Sequence, residues 1–415
     1  IIKRKGLICN IFTHEELINL QGTMFLAHNR YKTNDFKDSF QPFSLKNDNF
    51  SMYLIHNGNI INHEYIKKIL QRRFDISIDN CSDSLVLFNL IFYYLNSICN
   101  DPRNLNSKII NEMVNFLHVN IEGSYNIILI IKNYGMIVIK DKSGIRPLVY
   151  GKNKEGDILI SSESCSFNNV INYSIINDVE PGETIIISND SIKSLRYDRI
   201  DFKPCLFEYI YFSRLDSIIH DVSIYKSRFY MGKLLAEKIK KDNLEIDFII
   251  PTPETSRVYA YGMSEDLNIP IQECIIKNRY INRTFIMENK DKIKENVKRK
   301  FSVIKEIVKN KNVLLIDDSI VRGNTSKGII NLLKEANVNK VYFGSAAPKV
   351  LNSNNYGIHI EKKEELITFK CKTNEDICRH LQIDNIYFND LEKIIKMINS
   401  INKNIINFET SIFQD

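Results

Sequence analysis

Eight cysteines are spread along the 415-residue chain, and no two of them form a C-x-x-C pair. That absence argues against zinc and disulfide frameworks and fits a reduced, cytoplasmic setting. Long apolar runs are also missing. Those present, such as Ile127–Ile131, are strand-sized and cannot cross a bilayer, and no signal or transit segment is visible. The net charge is +6, yet no basic stripe with interleaved aromatics stands out, which argues against nucleic acid as a partner. No Gly-x-x-x-x-Gly-Lys-Ser/Thr loop occurs, so a P-loop is excluded. There is no internal repeat. Nor is there an opening methionine: residue 1 is Ile1, and the expectation is that a preceding segment is missing from this sequence.

What is present points to two domains. At 44% hydrophobic and 26% charged residues, the composition is that of an ordinary globular protein, long enough for two cores. Ile, Asn and Lys are abundant, so solvated lysine faces explain the positive balance as well as an anionic substrate does. The first half reads as strand-rich, with short apolar or alternating runs at 51–56, 126–132, 136–141, 157–162 and 183–188. Helical patterns lie at 63–71 and 83–95. In the second half helices are expected at 224–241, 256–266 and 327–336. Strands are expected at 246–250, 311–316 and 340–346, with an extended segment at 270–276. This β–α–β rhythm implies a parallel sheet. Domain limits are expected at 1–200 and 201–375, followed by a helical tail over 376–415.

The most informative stretch is Asn312-Val313-Leu314-Leu315-Ile316-Asp317-Asp318-Ser319-Ile320-Val321-Arg322-Gly323-Asn324-Thr325-Ser326. An apolar strand ends in two carboxylates, then a loop of small residues leads to a helical pattern beginning at Lys327. In open α/β sheets ligands sit off the carboxyl ends of strands, where N–H groups at a helix start cradle phosphate. Ser319, Thr325 and Ser326 add hydroxyl donors. Asp317 and Asp318 suit ribose hydroxyls or a hydrated Mg²⁺. A ribose with a phosphate at one end and a metal-bound pyrophosphate at the other uses all of these together. The structural alternative is a strand, a polar turn and a capped helix with no ligand.

The first half holds a second set of polar motifs. Ala27-His28-Asn29-Arg30-Tyr31-Lys32-Thr33 is followed by Gln41-Pro42-Phe43, then His56-Asn57-Gly58-Asn59, then Ser82-Asp83-Ser84. Arg30 can clamp an α-carboxylate and Asp83 can receive an α-ammonium. The Asn57 amide with the Gly58 N–H can form an oxyanion hole for acyl transfer. Each has a structural alternative: a hairpin turn for 56–59, a surface ion pair for Arg30, a helix cap for Asp83.

Taken together, these strings resemble the amidophosphoribosyltransferase family. The 312–326 stretch is similar to its phosphoribosyl pyrophosphate (PRPP) motif, with Asn324 where the family usually has Thr. Cys205–Ser217, continued by Tyr225, Arg228 and Gly232, resembles the start of its transferase domain. Gly144–Leu148 and Ser162–Cys165 match its glutaminase domain. The resemblance implies an α/β and α+β two-domain fold. An N-terminal-nucleophile (αββα) glutaminase-like domain, incomplete at its N-terminus, precedes a type I phosphoribosyltransferase domain with a parallel sheet.

It implies a glycosyltransferase that moves ammonia from glutamine to PRPP, giving 5-phosphoribosylamine and pyrophosphate in purine synthesis. Arg30, Asn57, Gly58 and Asp83 then hold glutamine. Thr255, Asp317 and Asp318 bind Mg²⁺. Ser319, Arg322, Gly323, Asn324, Thr325, Ser326 and Lys300 bind PRPP, with Lys277 and Arg283 from a closing loop acting in catalysis. That loop departs from the family, since Asn282 replaces a usual Gly.

The family's nucleophile is an N-terminal cysteine with no counterpart here, and Cys9 is internal, so the chain as written is expected to use ammonia alone. Its C-terminal end lacks the paired cysteines that some relatives use for an iron–sulfur cluster, so none is expected. Purine-nucleotide feedback inhibitors and a homo-oligomer are also implied. The other reading is a non-catalytic PRPP or nucleotide sensor that keeps the fold.

Overall fold

The computed structural model describes all residues except 7, 31–39, 171, 189–190, 279, 281–296, 357–359, 361 and 415. It divides into two units, the first chiefly Ile1–Ser162 and Asn172–Pro204, the second chiefly Cys205–Asn354 and Ile360–Asp415 with Glu163–Ile171.

In the first unit, β1 (Phe43–Lys46), β2 (Ser51–Ile60), β3 (Gly123–Ile131), β4 (Gly135–Lys140), β8 (Glu183–Ser188) and β9 (Ser191–Arg196) form one antiparallel sheet in that order. A smaller sheet joins β6 (Ile158–Ser161), β5 (Val149–Lys152) and β7 (Ser174–Asp178). The longer helices of this unit are α1 (His63–Phe74), α2 (Asp83–Ile98) and α3 (Ser107–Asn120).

The apolar pattern of β3 and β4 explains the layering. Ile127, Leu129, Ile131, Ile137 and Ile139 join one core with Val86, Leu90 and Leu117 of the helices. The alternate residues Ile128 and Val138 join a second core with Leu148 and Val179. Successive side chains point to opposite faces of a strand, so a strand apolar at every position must be covered on both sides.

In the second unit, β12 (Phe248–Pro251), β15 (Asn312–Asp317), β16 (Lys340–Ser345) and β17 (Asn385–Phe388) form a wholly parallel sheet in that order. Two short antiparallel pairs stand apart from it: β10 (Ile218–Ile219) with β11 (Val222–Ser223), and β13 (Ile275–Lys277) with β14 (Phe301–Val303). The longer helices are α4 (Ile224–Ile239), α5 (Arg257–Leu267), α6 (Asn324–Glu335), α7 (Asn374–Leu381) and α8 (Leu391–Ile401). Val313, Leu314, Leu315 and Ile316 are all fully buried, as expected of a parallel strand covered by helices.

Two expectations change. Segment 270–276 forms a strand only from Ile275, with an isolated bridge from Ile271 to Ile249. The stretch read as a helical tail contributes β17, whose four residues are too few to show a period between two helices. None of the described helices is long and apolar enough to cross a membrane.

Candidate active sites in the two units

In the first unit the separated motifs meet at His56. The Gln41 side chain clips the His56 backbone twice, accepting from its N–H at 2.6 Å and donating to its carbonyl at 3.1 Å. The imidazole Nδ1 lies 2.7 Å from Ser84 Oγ. Burial lowers the His28 pKa to about 4, helped by the neighbouring His56 and Arg30. His28 and His56 were visible in the sequence strings, but nothing in their spacing showed that one would become a buried hub.

The hairpin alternative for 56–59 fails, because these residues lie inside β2 and pair with β3 from His56↔Ile127 to Asn59↔Ser124. Gly58 is needed there: at φ +157° an added Cβ would stand 2.0 Å from the Ser124 carbonyl oxygen. The capping alternative for Asp83 fails too. Ser82 caps α2, while Asp83 Oδ2 accepts the Ile60 N–H at 2.9 Å. Asp83 thus sits at the end of β2, lining a cavity of about 210 Å³ with Asn59, His63 and Cys81. Asn57 Nδ2 reaches Ser162 Oγ at 3.4 Å, and Arg30 is half-buried. Residues Tyr31–Thr33 lie outside the described residues.

In the second unit the carboxyl end of β15, an interior strand, carries the site. Asp317 and Asp318 are buried. Burial first, then the neighbouring Asp318 carboxylate, push Asp317 well above the usual carboxylate range. Burial raises Asp318 as well. Thr255 Oγ1 donates to Asp318 Oδ2 at 2.5 Å. Ser256 Oγ donates to Asp317 Oδ1 at 3.1 Å. Thr255 does not cap α5, since Ser256 is the N-cap residue and the helix begins at Arg257.

The loop that follows places its polar groups as follows, and its helix starts earlier than expected. The Ser319 hydroxyl, a phosphate donor by the sequence, donates to Asp318 Oδ1 at 2.8 Å. Arg322, a PRPP ligand by resemblance, pairs with Glu365 at 2.6 Å. The helix begins at Asn324 instead of Lys327, because Gly323, at φ +76°, serves as its N-cap. Asn324, Thr325 and Ser326 consequently form its first turn, and no side chain caps it. Such a turn presents backbone N–H groups to an anion. Thr325 is exposed and Ser326 buried. Lys277 ends β13, with its ammonium 3.8 Å from Glu254. Lys300 lies over the Phe301 ring at 5.2 Å. Arg283 lies outside the described residues.

Two family models match along the chain, a glutamine amidotransferase domain over residues 28–169 and a phosphoribosyl transferase domain over 224–362. The chain is 36% identical over 421 residues to the amidophosphoribosyltransferase of Pasteurella multocida, spanning 99% of this chain and 82% of that protein. The chain belongs to the amidophosphoribosyltransferase family. The family enzyme of Escherichia coli is likewise 36% identical, over 99% of this chain and 82% of its own length. Among solved structures, the glutamine PRPP amidotransferase of B. subtilis, complexed with ADP and GMP, aligns with a TM-score of 0.82 and 32% identity. That alignment spans 98% of this chain and 84% of the other. Both halves of the amidophosphoribosyltransferase fold are thus present in this chain.

Proposed function

We propose that this chain catalyses the amidophosphoribosyltransferase reaction, joining ammonia to C1 of PRPP and displacing pyrophosphate, with glutamine as the family's ammonia source. The observation that carries the reading is the buried Asp317-Asp318 pair, its second member six residues before a helix start that no side chain caps. One end suits a cation and ribose hydroxyls, the other a phosphate. The boundary between the glutaminase and transferase parts is taken near residue 200.

Two adjacent buried carboxylates with raised pKa values, beside the Thr255 hydroxyl, form a donor set that fits a divalent cation. Mg²⁺ bound there would neutralise charge on the pyrophosphate. The chain's own residues do the rest. The first turn of α6 holds the 5′-phosphate, and Asp317 with Asp318 orients the ribose. Lys277, Arg283 and Lys300 supply positive charge to the leaving pyrophosphate as the anomeric carbon becomes oxocarbenium-like. Arg30 and Asp83 take the two charged groups of glutamine's α-carbon, while Asn57 and Gly58 face its amide carbon.

The test is pyrophosphate release from PRPP with ammonium and Mg²⁺. D317N combined with D318N should lower it by more than about 100-fold, and EDTA should abolish it until Mg²⁺ is restored. Full activity in the double variant would sink the assignment. PRPP binding without turnover in the unaltered chain would favour a sensor. Purine nucleotides as feedback ligands, a homo-oligomer and a cytoplasmic setting belong to the same reading.

A further inference from the structure

Ser256 breaks a local rule. A serine at a helix N-cap ordinarily accepts a hydrogen bond from an N–H of the first turn, which stabilises the helix. Ser256 is the N-cap of α5, yet its side chain makes no capping bond and leaves that helix end without the usual support. It is fully buried, and its hydroxyl donates across to Asp317 Oδ1 at 3.1 Å. The same carboxylate oxygen accepts the Asp318 N–H at 3.0 Å. No hydrogen bond reaches Oδ2 of Asp317 among the described residues. Asp318 is held by different groups, Thr255 on one oxygen and Ser319 on the other. Departures from local preference of this kind concentrate where a site needs them.

We propose that Ser256 is a positioning residue: by holding Oδ1 of Asp317 it aims Oδ2 at the ribose hydroxyls of PRPP. The inference rests on the PRPP reading of this site. Two donors on one oxygen leave the carboxylate a single orientation. With only the Asp318 N–H remaining, it can swing about its Cα–Cβ and Cβ–Cγ bonds. A contact made equally in ground state and transition state affects substrate binding and leaves turnover alone. Ser256 therefore acts on KM through Asp317.

The experiment uses the full chain with ammonium, Mg²⁺ and PRPP. S256A should raise the KM for PRPP by about tenfold, the size of one hydrogen bond to a charged group, with kcat within about twofold. S256T, which keeps the hydroxyl, should recover most of the loss. Calorimetric titration of PRPP then compares S256A alone with S256A in a D317N background. The effect on affinity should largely vanish in D317N, because the group through which Ser256 acts has changed. An unchanged KM, a loss confined to kcat, or equal effects in both backgrounds would each overturn the proposal. The cycle decides it even if the extra methyl of S256T prevents folding. Failure of the underlying reading is seen separately, as an unaltered chain that neither binds nor turns over PRPP.

Discussion

At the scale of single residues, burial decides chemistry that residue type leaves open. Asp317 and Asp318 are ordinary acids in the sequence, and only their buried setting raises the pKa of both. His118 shows the same physics away from either candidate site. It is fully buried, with Nδ1 2.7 Å from the Tyr125 hydroxyl. Burial, with a smaller effect from Lys142, lowers its pKa from 6.5 to about 4. The unfolded chain therefore takes up a proton near pH 6.5 that the folded chain refuses until about pH 4. Above pH 6.5 this residue has no effect on the pH dependence; below it, stability falls by up to about 3 kcal/mol. Urea midpoints measured from pH 7 to 4.5 should fall less steeply for H118Q than for the unaltered chain. Parallel curves would rule the effect out.

At the scale of elements, α4 and α5 are locked backbone to backbone. A Cβ on Gly262 would stand 1.9 Å from the Phe229 carbonyl oxygen, and one on Gly232 would stand 2.1 Å from that of Tyr259. The Tyr259 hydroxyl, on the same helix, also donates to the Ile210 carbonyl at 2.5 Å. This contact fixes where α5 begins, and with it the position of Thr255 and Ser256 beside β15. G262A should destabilise the chain by about 1–3 kcal/mol, the usual range for overpacking. Because Thr255 and Ser256 lead directly into the displaced helix, it should raise the KM for PRPP as well. Chemical unfolding and steady-state kinetics read the two effects. A variant as stable as the original would show that the helices can part at no cost.

At the scale of the whole molecule, each unit has its own core, one built on β2–β4 and α2, the other on β12, β15 and β16. Separate cores permit separate unfolding, so a calorimetric scan should depart from two-state behaviour. Mg²⁺ with PRPP at 100 times its dissociation constant adds about 2.7 kcal/mol to whatever folds around its site. It should therefore raise one transition and leave the other in place. A single transition that moves as a whole would contradict this.

The sequence by itself determined more of the transferase unit than of the glutaminase unit. Val313–Ile316 followed by Asp317 and Asp318 is contiguous, so strand, carboxylates and helix start could be read from one window of residues. The period-2 and period-3.6 patterns likewise located the central strands of both large sheets and most of the longer helices, including β8 at Glu183–Ser188 with its observed limits. Tertiary structure decided what lies far apart in the chain. Gln41, His56 and Ser84 meet only because β2 crosses beside α2, and Ser256 finds Asp317 across 61 residues. It also decided which donors face inward: Ser319 and Arg322 turned to Asp318 and Glu365. Hydrogen-bond partners of polar side chains depend on which charged group is closest in space, and local spacing carries no record of that.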